Sequence, residues 1–177
     1  MPFSRPHQTV VDLKLQPGTL VADLGAGIGA YTVPLAQAVG PKGRVYAVEV
    51  QKELLQKIVT VTRDVGLDNV EVIWGDIENM GGTKLADDSV QFVVLANVLF
   101  QLENKEGCAR EVDRILKPGG KVLVVDWRDS YDGMGPIPEM VLEQHRAREI
   151  FEHAGFHYEN GVETGDQHYG FVCSTQH

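Results

Sequence analysis

The chain is poor in cysteine, in basic runs and in long apolar stretches. Its two cysteines, Cys108 and Cys173, stand far apart and outside any Cys-x-x-Cys or Cys/His ligand spacing. That excludes a disulfide-stapled scaffold and fits a reduced, cytoplasmic setting. The longest apolar candidates, Val90 to Phe100 and Val122 to Val125, fall short of the roughly 20 residues that span a bilayer. The opening residues, MPFSRPHQTV, hold no apolar signal region, so nothing predicts export. Lys and Arg number 16 against 25 Asp and Glu, for a formal net charge of −9, and form no run. Nucleic-acid binding needs clustered Lys and Arg on phosphates, so this balance argues against it. His153, His157, His168 and His177 have no compact ligand spacing, and no metal site is expected. Repeats, low-complexity segments and linkers are missing too.

What is present suits one globular domain over residues 1–177, with 43% apolar and 23% charged residues. Residues 130–138, SYDGMGPIP, form the clearest break and read as a loop within that domain. Strand-like and helix-like segments alternate along the chain. Residues 20–24, 44–50, 70–74, 90–96 and 121–127 read as strands, the fourth apolar but for Gln91, as a covered central parallel strand is. Helices are expected over 30–39, 51–65, 105–116 and 139–154. In the second of these, Leu54, Ile58, Val61 and Val65 share one face. Pro34 requires a place in the first turn of its helix, and Gly40, Gly66 and the Lys117–Gly120 turn supply stops. Two weaker strands, 156–162 and 169–174, resemble a closing antiparallel hairpin. The alternation predicts a doubly wound, mostly parallel α/β sheet of seven strands with helices on both faces and a crevice at the strands' carboxyl ends.

One stretch carries chemistry. VADLGAGIGA (Val21 to Ala30) runs from an apolar strand through Asp23 into glycines 25, 27 and 29, and then into a helix. Backbone at such a loop can approach a ligand closely, and the helix N-terminus favours a negative group. Glu49, at the end of the second strand, is placed to hold a ribose. Nicotinamide dinucleotides and S-adenosylmethionine both use these two features. Asp23 separates them. A diphosphate on the loop brings negative charge towards the carboxylate, whereas an ammonium or sulfonium is attracted to it. A helix cap or a satisfied core acid is the plainer reading of Asp23.

VADLGAGIGAYT, the acid in VYAVEV, WGDIE, FVVLANVLFQL and LKPGGKVLVVDW follow one another in the order seen in class I S-adenosylmethionine-dependent methyltransferases. The chain resembles their small-molecule branch, which includes quinone-biosynthesis-type enzymes, clearly over about residues 13–127. The resemblance implies a Rossmann-like methyltransferase fold, S-adenosyl-L-methionine as cofactor and methyl transfer to a small-molecule acceptor. It implies that Asp23, Gly25, Ala26, Gly27 and Gly29 surround the methionine part of the cofactor. Glu49 would accept from the ribose hydroxyls and Val50 would pack on the adenine. Asp76 would accept from the adenine amino group, with the Ile77 amide nearby, and Asn97 would face the transfer region.

Candidates for proton transfer at the ends of the fourth and fifth strands are Asn97, Asp126, Trp127, Asp129 and Tyr131, with His145 on the next helix. No Asn-Pro-Pro-Tyr or Asp-Pro-Pro-Tyr follows the fourth strand, and there is no Pro-Cys pair, which argues against nucleic-acid amino and pyrimidine carbon methylation. The lead before the first strand is short. An open cleft is therefore expected unless the RDSYDGMGPIP loop, a second copy in a homodimer or another partner closes it. Two other readings stand beside the leading one: a non-catalytic cofactor-binding partner protein, and an NAD(P)-dependent oxidoreductase.

Overall fold

The computed structural model describes residues 4–177. The elements are α1 (Pro6–Asp12), β1 (Leu20–Leu24), α2 (Thr32–Val39), β2 (Arg44–Glu49), α3 (Lys52–Asp64), β3 (Val70–Trp74), β4 (Val90–Ala96), α4 (Lys105–Ile115), β5 (Leu116–Trp127), α5 (Gln144–His153), β6 (His157–Gly161) and β7 (His168–Ser174). One seven-stranded sheet runs in the order β3-β2-β1-β4-β5-β7-β6. Strands β1 to β5 pair in parallel, while β7 is antiparallel to both β5 and β6. The expected doubly wound sheet and its closing hairpin are both present.

Period-two alternation divides the core. Ala22, Leu24, Val93 and Leu95 point to one face, where Ala109 and Val112 of α4 and Ala147 and Phe151 of α5 cover them. Val21, Val45, Phe92 and Val94 point to the other, against Val10 of α1 and Leu35 and Val39 of α2. Leu24, Leu35, Leu95 and Leu123 are fully buried; burying each such side chain stabilises by roughly 1.5–3 kcal/mol.

Several features differ from expectation. Helix α1 lies in the lead that sequence pattern left unassigned; Pro6 starts it and Val10, 1% exposed, anchors it in the core. The helix expected over 139–154 begins at Gln144, because Pro138–Met140 forms a separate short turn. The Tyr169 hydroxyl then donates to Leu142 O at 2.9 Å and holds the chain extended before α5. Strand β5 starts at Leu116, which pairs with Val90, so the Lys117–Gly120 segment is an irregularity in the ladder rather than a break. On α3 only Ile58 of the apolar stripe is fully buried, and Val65 is 49% exposed.

The sheet order reverses between β1 and β4, which places a crevice at their carboxyl ends. Asp23 pairs in register with Ala47 and Val94, so the ends of β1, β2 and β4 converge there.

Candidate active site

A cleft of about 650 Å³ opens at this convergence. Asp23 lines it from the end of β1, Gly25, Ala26 and Gly27 from the loop that follows, Glu49 and Val50 from the end of β2, and Gly75 to Glu78 from the loop after β3. Asn97 and Val98 close it beyond β4. Of the residues expected to surround the cofactor, all line the cleft except Gly29. A Cβ on Gly29 would stand 3.2 Å from Val61, so this glycine lets the loop pack against α3.

Asp23 is 2% exposed. Its carboxylate accepts from the Thr32 hydroxyl at 2.6 Å. Burial pushes the carboxyl up to about 7; the Thr32 hydrogen bond pulls the other way, and the charge of Glu49 adds to the rise. A buried carboxylate in this state favours any cation that reaches it. Glu49, 5% exposed, accepts from Gly27 N at 2.9 Å through one oxygen and from Val50 N and Gln51 N through the other.

The loop's amides are largely committed. Gly25 N and Ala26 N donate to Val48 O at 2.9 and 3.1 Å, Gly29 N donates to Ala26 O, and Gly27 N is held by Glu49. The expectation that these amides would receive a ligand's negative group is weakened accordingly. Gly25 and Gly27 have φ of 70° and 59°, a region costly for other residues. A Cβ on Gly25 would overlap Val98, whereas one on Gly27 meets nothing within 4 Å and would fill open cleft space.

At the far end, Asp76 caps its own loop, accepting from Glu78 N at 3.0 Å and Asn79 Nδ2 at 2.7 Å. Asn97 sits at φ 56°, an unusual conformation for a side-chain-bearing residue. Its amide donates to Val125 O, and its Oδ1 is buried without a hydrogen-bond partner among the described residues.

The remaining candidates for proton transfer lie outside the cleft lining. Asp126 is fully buried and accepts from Phe100 N at 3.0 Å and Trp127 N at 2.9 Å, fixing the turn after β4. Burial pushes it up to about 6 against those two bonds. Trp127 lies against His168, with ring centroids 4.3 Å apart and the planes tilted by 42°. Tyr131 pairs with Met134 in a local turn, and Gly135 packs on the Trp127 ring. Asp129 is exposed and caps Ser130 N. His145 is 63% exposed beside Glu143.

The RDSYDGMGPIP loop does not line the cleft either. Its flank is built instead by Ser4 and Pro6 at the start of α1, next to Tyr31. The Tyr31 hydroxyl lies near Ser4 and Thr9 without closing a hydrogen bond to either. Leu54, Gln101 and Leu102 also line the cleft, none of them expected at the site. Leu54 had a signal, but its place in the α3 stripe reads as core. Among the described residues no group of three or more His, Cys, Asp or Glu could hold a metal ion, and no helix is long and apolar enough to cross a membrane.

A methyltransferase-domain family model matches residues 15–162. The chain belongs to this methyltransferase family. Demethylmenaquinone methyltransferase of Geobacillus sp. (strain WCH70) is 30% identical over 120 residues, covering 68% of this chain and 50% of that protein. The ubiquinone/menaquinone biosynthesis C-methyltransferase UbiE of Shewanella sp. (strain W3-18-1) is 31% identical over 113 residues, 63% of this chain and 44% of that protein. The chain thus spans about half the length of these two relatives. The crystal structure of a SAM-dependent methyltransferase from Aquifex aeolicus superposes with a TM-score of 0.87 at 30% identity, covering 97% of this chain and 90% of that one. The family resemblance drawn from the ordered motifs, and the fold it implied, are borne out.

Proposed function

We propose that the chain is a single-domain, S-adenosylmethionine-dependent methyltransferase acting on a small molecule in the cytoplasm. The observation that carries this reading is Asp23, a buried carboxylate raised to about 7 beside an open glycine position. It is matched to a cationic group and opposed to a diphosphate. A diphosphate on the loop would keep Asp23 protonated and gain no charge pairing from it, whereas a cation pairs with the ionised form. Glu49 also occupies the Gly27 amide that a phosphate would need.

The residues present fit the cofactor. Asp23 and the unpartnered Asn97 Oδ1 suit its ammonium, Gly27 leaves room for its backbone-proximal part, and Glu49 retains one acceptor site, on Oε2, for a ribose hydroxyl. Asp76 and Ile77 suit the adenine edge, and Val50 one of its faces. When bound, S-adenosylmethionine supplies a methyl group already activated on a sulfonium sulfur. The chain's own work is then to orient the acceptor and exclude water, a source of much of the rate through effective molarity. Tyr31, Leu102 and the start of α1 form the wall available for an acceptor. The names of the two biosynthetic relatives make quinone precursors the first acceptors to test.

The test is a labelled-methyl transfer assay against quinone precursors and fractionated metabolites, with Gly27→Val as the blank. Label transferred by the wild type and not by the variant supports the reading. Tight cofactor binding with no transfer to any fraction favours a non-catalytic partner protein. That alternative draws on the position of Asp126, Tyr131 and His145 outside the cleft lining.

A further inference from the structure

The loop between β3 and β4 presents Gly75, Asp76, Ile77 and Glu78 to the cleft. Its other side is fastened to α4 by a single acid. Glu111 is 0% exposed and does not line the cleft. Its Oε2 accepts from Gly81 N and Arg114 Nε, both at 2.8 Å. Its Oε1 accepts from the Thr83 hydroxyl at 2.6 Å, Thr83 N at 3.1 Å and Arg114 Nη2 at 2.7 Å. Arg114 continues to Asp87 at 2.6 Å and Leu85 O at 2.9 Å. Burial alone would raise the Glu111 pKa, but the bonds from Arg114, Thr83 and the two amides outweigh it and hold the group below the usual carboxylate range.

The clamped segment supports Asp76 directly. Asp76 N donates to Gly82 O at 3.0 Å, and Gly82 lies so close to Asp76 O that a Cβ has no room. A second tie runs from Asn104 N, just before α4, to Glu78 Oε1 at 2.6 Å. A buried ion pair seldom adds stability over apolar packing of the same volume. What it supplies is a fixed geometry for the three-residue floor, Gly81 to Thr83, beneath the cleft loop.

We propose that Glu111 is a positioning residue for base recognition: by clamping Gly81 and Thr83 it holds Asp76 and Ile77 where they select adenine. The inference rests on the cofactor reading above but concerns selectivity rather than transfer. Its test compares S-adenosylhomocysteine with S-inosylhomocysteine, in which the adenine amino group is replaced by oxygen. Calorimetric dissociation constants are measured for wild type, Glu111→Gln and Thr83→Val, well below each protein's melting temperature. Glu111→Gln keeps the size of the side chain but turns an NH2 towards Gly81 N or Arg114. Wild type is expected to prefer the adenosyl ligand by about tenfold, and Glu111→Gln to lose about fivefold of that preference. Thr83→Val, which removes the 2.6 Å hydroxyl bond to Glu111 and the longer ones accepted from Leu85 N and Arg114 Nη2, moves the ratio the same way by less, and decides the matter alone if Glu111→Gln does not fold. A merely structural clamp lowers the melting temperature and leaves the ratio unchanged; that result overturns the proposal, as does a wild type that binds both ligands equally. A wild type that binds neither ligand overturns the cofactor reading along with it.

Discussion

Protonation of Asp23 should control ligand affinity in a range where the ligand itself does not titrate. In the free protein the carboxyl is raised to about 7, with burial the first cause. An ammonium placed against it favours the ionised form, so binding below pH 7 must release the proton. If the bound carboxylate returns near its ordinary 3.8, affinity falls as pH drops below 7, by a factor that approaches tenfold per unit. Between pH 7 and pH 5 that is about 50-fold, or about 2.3 kcal/mol. The ammonium and carboxylate of S-adenosylhomocysteine keep their charges across this window. Isothermal calorimetry at pH 5, 6, 7 and 8 reads the affinity, and repetition in buffers of different ionisation enthalpy reads the released proton, close to one per ligand at pH 6. Asp126, raised to about 6, titrates nearby but outside the cleft lining; Asp23→Asn separates the two by flattening the profile. Equal wild-type affinity from pH 5 to pH 8 refutes the pairing of Asp23 with a cation.

The same carboxyl sets a stability trend of opposite sign. A folded-state value above the ordinary one stabilises the fold below pH 3.8 and loses that contribution as pH rises through about 7. The full difference is about 4 kcal/mol, so Asp23→Asn is expected to raise the melting temperature of the free protein at pH 8 by about 4–8 °C if half of it is recovered. A lower melting temperature at pH 8 contradicts this. Thr32→Val removes the hydroxyl that lowers the Asp23 pKa, and is expected to move the midpoint of the affinity profile to higher pH; an unmoved midpoint shows that the 2.6 Å bond does not tune the site. Gly27→Val places a branched side chain in open cleft space at φ 59°. It should weaken S-adenosylhomocysteine at least about tenfold, about 1.4 kcal/mol, and unchanged calorimetric affinity would remove this glycine from the site.

The parallel sheet was legible because covered strands such as Val90–Ala96 are apolar apart from Gln91 and end at glycines or turns. The cleft was legible because one loop joins an acid to glycines, and because strand order alone brings Glu49, Asp76 and Asn97 to the same edge. What stayed hidden depends on contacts between distant segments. Helix α1 is seven residues long, too short for a periodic signal, and is set by the burial of Val10 against α2. Asp126 reads as a strand-end acid facing a cleft, yet both its oxygens are used to hold Phe100 and Trp127 backbone. Gly25, Gly27 and Gly29 look equivalent in sequence, but one abuts Val98, one opens to the cleft and one abuts Val61. Glu111 looks like a solvated helix acid until Thr83 and Gly81 fold back onto it.

The most direct test of the account is a calorimetric titration of the wild-type protein at pH 7.5 with S-adenosylhomocysteine and, separately, with NAD and NADP. Saturable one-to-one binding of the adenosyl-sulfur ligand and no heat from either dinucleotide is the expected result. Saturable binding of NAD or NADP with none of S-adenosylhomocysteine would contradict it.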